Sequence, residues 1–295
     1  MNRVKLFFLH KMLERGRKKT RKKQPWIGRQ FFVPRQDKKQ VETILYEPKD
    51  KKYCPMPVMF NIHGGAWVAG DASGLDVQSQ KMADDLGAFV VNINYTKADV
   101  QPIPYAQEEV VDTVLYFAEH APEYGIDVKR FNLIGYSAGG HICVGAAILL
   151  KNRGFALCSN VPIYPFLDFH IFEKGDLKTD AKGVNKMFGV FFRDSGIQYS
   201  TCMSPGAAPA EALKDLSHTE LILCGPDALY QQGLDYFEHL QEAGVSAELK
   251  VFEKSSHGFM ESDYEKELNP EEQVQKEQYE ACFWYLQERM RKLWD

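Results

Sequence analysis

Phe131-Asn132-Leu133-Ile134-Gly135-Tyr136-Ser137-Ala138-Gly139-Gly140-His141-Ile142-Cys143-Val144-Gly145-Ala146-Ala147-Ile148-Leu149-Leu150 is the stretch that decides how this chain is read. Phe131 to Gly135 is a short apolar run of strand type, Tyr136-Ser137-Ala138 a tight turn, and Gly140 to Leu150 a helix rich in Ala, Ile and Leu. Gly135-Tyr136-Ser137-Ala138-Gly139 fits GxSxG, in which small flanking residues let the chain bend sharply and lift a serine hydroxyl above the end of a sheet. Such a hydroxyl is a poor nucleophile unless a base takes its proton and donors await the developing oxyanion. A working Ser137 therefore requires a base, an acid to orient it and a donor loop elsewhere in the chain.

Upstream, Val41 to Tyr46, Pro57 to His63 and Phe89 to Asn94 read as strands, and Ala106 to Ala118 as a helix with Val110, Val111, Val114, Leu115 and Ala118 on one face. Downstream, Ala156 to Tyr164, Leu221 to Gly225 and Ala247 to Phe252 read as strands, with a helix from about Gln231 to Ala243 before the last. Asn269 can cap a closing helix that starts at Pro270, with Tyr279, Cys282, Phe283, Leu286, Met290 and Leu293 as its buried stripe. Strands alternating with helices predict an α/β fold around a mostly parallel sheet. Residues 165–218 are too long for an ordinary loop and are read as an inserted cap.

The donor loop is found at His63-Gly64-Gly65-Ala66-Trp67, directly after a strand; the N–H groups of Gly64 and Gly65, with that of Ala138 at the start of the elbow helix, can hold an oxyanion. On this architecture the base follows the last strand, a place held by His257 in Ser255-Ser256-His257-Gly258-Phe259. The acid is Asp227, directly after the strand Leu221 to Gly225, with Asp168 in YPFLD as the runner-up. His141, four residues past Ser137, reads as a packed helix residue.

These pieces resemble the hormone-sensitive-lipase-like branch of the α/β-hydrolases, bacterial carboxylesterases included, over residues ~40–265. The resemblance rests on HGGAW at 63–67, NYTKADVQPIPYAQEE at 94–109, GYSAGG at 135–140, YPFLD at 164–168, MSPGAA at 203–208, GPDALYQQG at 225–233 and HGF at 257–259. It implies an α/β-hydrolase fold with an eight-stranded, mostly parallel sheet and a helical cap made from the amino-terminal segment and residues 165–218. It also implies hydrolysis of short- to medium-chain acyl esters without a cofactor or metal. Residues 1–40 would then belong to the cap, with 41–164 and 219–295 forming the two parts of the core. Two stretches depart from the family pattern: Ala66 stands where a third glycine is usual, and Tyr95-Thr96-Lys97-Ala98-Asp99 replaces a tyrosine-arginine-leucine-alanine-proline run. GYSAGGH and HGG also resemble arylformamidases, so an amidase with the same triad is the alternative, and a non-catalytic ligand-binding protein is a third.

Composition narrows the remaining classes. In a chain of net charge −4, residues 1–23 carry ten Lys or Arg against Glu14, a net +9, and leave −13 to the remainder, so nucleic acid is not an expected partner. That basic segment, with Leu6, Phe7, Phe8, Leu9, Met12 and Leu13, could form a cap helix or touch anionic lipid weakly, and the cap is preferred. Six scattered cysteines without CxxC spacing read as reduced thiols of a cytoplasmic protein. Trp67, Phe188, Phe191, Phe192 and Tyr199 suggest an apolar entrance, and oligomeric state is open.

Overall fold

A computed structural model of the chain describes residues 3–171, 191 and 196–295. Among them, strands β1 (Arg29–Val33), β2 (Val41–Tyr46), β3 (Met56–Ile62), β4 (Phe89–Asn94), β5 (Ile126–Tyr136), β6 (Ser159–Ile163), β7 (His218–Cys224) and β8 (Ala247–Phe252) form one sheet. Its order is β1-β2-β4-β3-β5-β6-β7-β8. The β1–β2 and β2–β4 pairings at one edge are antiparallel, and the remaining five are parallel. The expected eight-stranded, mostly parallel sheet is present.

The helices among the described residues are α1 (Arg3–Thr20), α2 (Asp76–Leu86), α3 (Tyr105–Glu119), α4 (Ala121–Tyr124), α5 (Ala138–Asn152), α6 (Ala210–Leu213), α7 (Tyr230–Glu242) and α8 (Pro270–Trp294). β3 is buried at all seven positions, as a strand covered on both faces must be. Its Val58, Phe60 and Ile62 share a core with Val110 and Val114 of α3 and Ile142 of α5. Met59, on the opposite face, shares one with Met82 of α2 and Phe283 and Leu286 of α8. α8 starts on a reciprocal capping box, in which the Asn269 side chain accepts from Glu272 N–H at 2.9 Å and the Glu272 carboxylate accepts from Asn269 N–H at 3.0 Å. Of its expected stripe, Cys282, Phe283, Leu286 and Met290 are fully buried, Tyr279 and Leu293 partly so.

Among the elements of five residues or more, two were not legible. Arg29–Val33, grouped in expectation with the cap, is instead the edge strand of the sheet, where Phe31 packs against Tyr116, Phe117 and Tyr124. Helix α2 is the other. The middle of the proposed 165–218 insertion, Phe188 and Phe192 included, lies outside the described residues. Of the expected entrance aromatics, Trp67 and Phe191 are buried, and Trp67 stacks edge-on against Phe166. These two are interior packing, whereas Tyr199 is 39% exposed.

Because β3, β5, β6, β7 and β8 run parallel, their carboxyl ends lie along one rim. Strand order reverses between β3 and β5, the switch point at which open α/β sheets form a crevice.

Candidate active site

The turn from β5 into α5 holds Ser137 at φ 53 and ψ −116, a conformation that residues with a side chain rarely adopt. Two glycines make this turn possible. A methyl group on Gly135 would strike the carbonyl of Gly139, and one on Gly139 would strike the carbonyls of Ile62 and His63. The start of α5 is thus pressed directly onto the exit of β3.

The three side chains expected at 137, 227 and 257 meet. His257 Nε2 lies 2.8 Å from Ser137 Oγ, and His257 Nδ1 lies 2.7 Å from Asp227 Oδ2. A carboxylate only accepts, so Nδ1 carries the ring proton and Nε2 of the neutral ring is left to accept from the serine hydroxyl. Asp227 is held in turn: its Oδ1 accepts from Leu229 N–H at 2.9 Å, and its side chain is 5% exposed. Gly225 lets the exits of β7 and β8 approach, since a Cβ there would lie 2.5 Å from the Glu253 carbonyl oxygen. Tyr164 flanks the base, with ring centroids 4.9 Å apart.

The other candidates fall elsewhere. Asp168 accepts from the His170 ring at 2.6 Å and from His170 N–H at 2.8 Å, a local turn apart from His257. His141 is fully buried; Trp67 Nε1–H donates to its Nδ1 at 3.0 Å and its Nε2 contacts Met203 O at 2.9 Å. Burial holds its pKa down to about 4, so it is neutral packing, as its place in the helix suggests. Among the described residues no cluster of His, Cys, Asp and Glu could hold a metal ion.

The donor loop departs from expectation at one residue. Gly64 N–H already donates to Glu261 Oε1 at 2.7 Å and is not free for an oxyanion. The N–H groups of Gly65 and Ala138 meet no acceptor among the described residues; Ala138 opens α5, where an N–H has no partner within the helix. Glu261 itself is the residue that sequence reasoning missed, although it stands only four places after His257. Burial pushes its carboxyl up to about 7, against the pull of Gly64 N–H and of His257.

A family model described as alpha/beta hydrolase fold matches residues 59–261. An esterase of Gibberella moniliformis is 27% identical over 225 residues, covering 73% of this chain and 70% of that protein. Arylacetamide deacetylase of Oryctolagus cuniculus is 36% identical over 111 residues, covering 36% and 28%. Among solved structures, a bacterial heroin esterase superposes with a TM-score of 0.78 at 22% identity, covering 99% of this chain and 93% of that one.

Proposed function

From the premise that the chain belongs to the alpha/beta hydrolase-fold family, we propose that it is a serine carboxylesterase acting on short- to medium-chain acyl esters. Ser137 Oγ attacks the acyl carbonyl while His257 Nε2 takes its proton. The negative charge formed on the carbonyl oxygen is met by the N–H groups of Gly65 and Ala138. His257 then protonates the departing alcohol, and Asp227 keeps the ring oriented and stabilises the imidazolium. Water, activated by the same imidazole, releases the acid from Ser137. The observation that supports this reading most is the unbroken line Ser137–His257–Asp227 at 2.8 and 2.7 Å. Ser137→Ala should lower kcat for a p-nitrophenyl short-chain ester by on the order of 10⁴-fold or more with an unchanged circular dichroism spectrum. A variant that keeps wild-type turnover would sink the reading.

An amide substrate is the second reading, favoured by the match to a protein named arylacetamide deacetylase. Parallel assays on acetate esters and on acyl- or formyl-anilides separate the two. A fluorophosphonate probe that marks Ser137 would exclude a non-catalytic binding protein. Residues 165–218 and α1 are proposed to form the cap, and the six free cysteines fit a reducing compartment such as the cytoplasm. No helix of the described residues is long and apolar enough to cross a membrane.

A further inference from the structure

Resting on that reading, we infer that Lys97 is a positioning residue for the oxyanion loop: its ammonium fixes the His63 ring, and through it the peptide plane that carries the Gly65 N–H. Lys97 follows β4 and is 6% exposed, an unusual place for a lysine. Its Nζ lies 2.7 Å from Tyr95 O, 3.1 Å from Asn94 Oδ1 and 3.1 Å from His63 Nε2. Three acceptors match the three N–H groups of an ammonium, whereas a neutral amine would turn a lone pair on one of them. The Tyr95 ring face, 4.1 Å from Nζ, adds to the preference for a cation.

The consequence passes to His63, which is buried and stacked on Tyr95 at 4.4 Å. With Nε2 accepting from Lys97, its proton resides on Nδ1, which donates to Gly64 O at 2.6 Å; Tyr95 Oη–H reaches the same oxygen at 3.3 Å. In a trans peptide the C=O and the following N–H point in opposite directions. Drawing Gly64 C=O back toward β4 therefore turns the Gly65 N–H to the other side of the loop, where it has no acceptor among the described residues. Glu261 grips the preceding N–H of Gly64, so the loop is held from both sides. Lys97 is faced by Asp71 after β3, Glu42 of β2 and Glu109 of α3, which favour its charge, and by Arg17 of α1, which opposes it. Burial outweighs them and draws its pKa down to about 7. Lys97 stands where the family pattern has leucine.

The test pairs kinetics with a direct reading of the ring. Lys97→Met should lower kcat for a short-chain ester by roughly 10- to 100-fold with KM within about twofold, and weaken a boronic-acid oxyanion mimic by a similar factor. In a cycle with His63→Phe, the double variant should be no worse than His63→Phe alone. Factors that multiply would overturn the relay. If Lys97→Met fails to fold, Lys97→Gln carries the same comparison. In wild type at pH 6, ¹⁵N-imidazole spectra should show His63 protonated at Nδ1; the Nε2–H form would overturn the inference without any variant. An inactive wild type would sink the esterase reading, whereas an active wild type with an unaffected Lys97→Met sinks only this one.

Discussion

A carboxylate turned away from water holds its proton to higher pH, and Glu261 sits in that position between the base turn and the oxyanion loop. Its folded pKa of about 7 stands above the ordinary value of 4.5. Below pH 4.5 both folded and unfolded chains are protonated there. Between 4.5 and about 7 the unfolded chain gives up the proton first, so this residue's contribution to stability falls as pH rises through that window. Glu261→Gln keeps an oxygen for Gly64 N–H but does not titrate. The variant should therefore gain on wild type from pH 5 to pH 8, by roughly 2 kcal/mol after allowing for the part of the side chain open to solvent. Calorimetric melting of both proteins at pH 5, 6, 7 and 8 reads the gap, and a gap that closes with rising pH contradicts this account.

At the scale of elements, the join of β3 to α5 depends on Gly139, and its test is a single methyl group. In Gly139→Ala the new carbon meets two backbone carbonyls that cannot swing away. The helix start must lift, carrying Ser137 and the Ala138 N–H with it. We expect a loss of about 1 to 3 kcal/mol together with at least a tenfold fall in kcat. Gly16→Ala in α1, where nothing lies within 4 Å, should instead be neutral or stabilising. Equal behaviour of the two variants in melting and kinetics would refute the argument. The sequence made this join readable because the elbow needs small residues at fixed spacing, and the strand-end places of Asp227 and His257 followed from the parallel order. Other elements left no such mark. In α2, DVQSQKMADDL presents a polar face broad enough to hide the short row of Met82, Ala83 and Leu86. In β1, the run is only five residues long and begins with the polar pair Arg29-Gln30, and only Val33 is fully buried. Glu261 was invisible for a different reason: its partner Gly64 is nearly two hundred residues away in the chain, and only the folded sheet sets the two rim loops side by side.

Across the whole molecule, α1 sets two faces against two surroundings. Inward, Leu9 and Leu13 pack on the core, and Arg17 donates to Asp99 at 2.7 and 3.0 Å and to Val68 O at 2.8 Å, just beyond the oxyanion loop. The Asp99 side chain is 1% exposed and also receives His10 at 2.7 Å, so removing the guanidinium takes two charge-assisted hydrogen bonds from a carboxylate turned away from water. Outward, Phe7, Phe8 and Met12 are 57%, 65% and 62% exposed, among Lys11, Arg15, Lys18 and Lys19. We propose that the inner face belongs to the cap and the outer face gives a weak contact with anionic lipid. The two roles separate by substitution. Arg17→Met should cost several kcal/mol and change the preference among acyl-chain lengths while leaving sedimentation with phosphatidylserine vesicles as in wild type. Phe7→Ser with Phe8→Ser should do the reverse, abolishing sedimentation at low salt with unchanged kinetics on soluble esters. If wild type does not sediment with such vesicles, the outer face has no lipid role. If Arg17→Met leaves both melting and substrate preference untouched, α1 is not part of the structure that shapes the site.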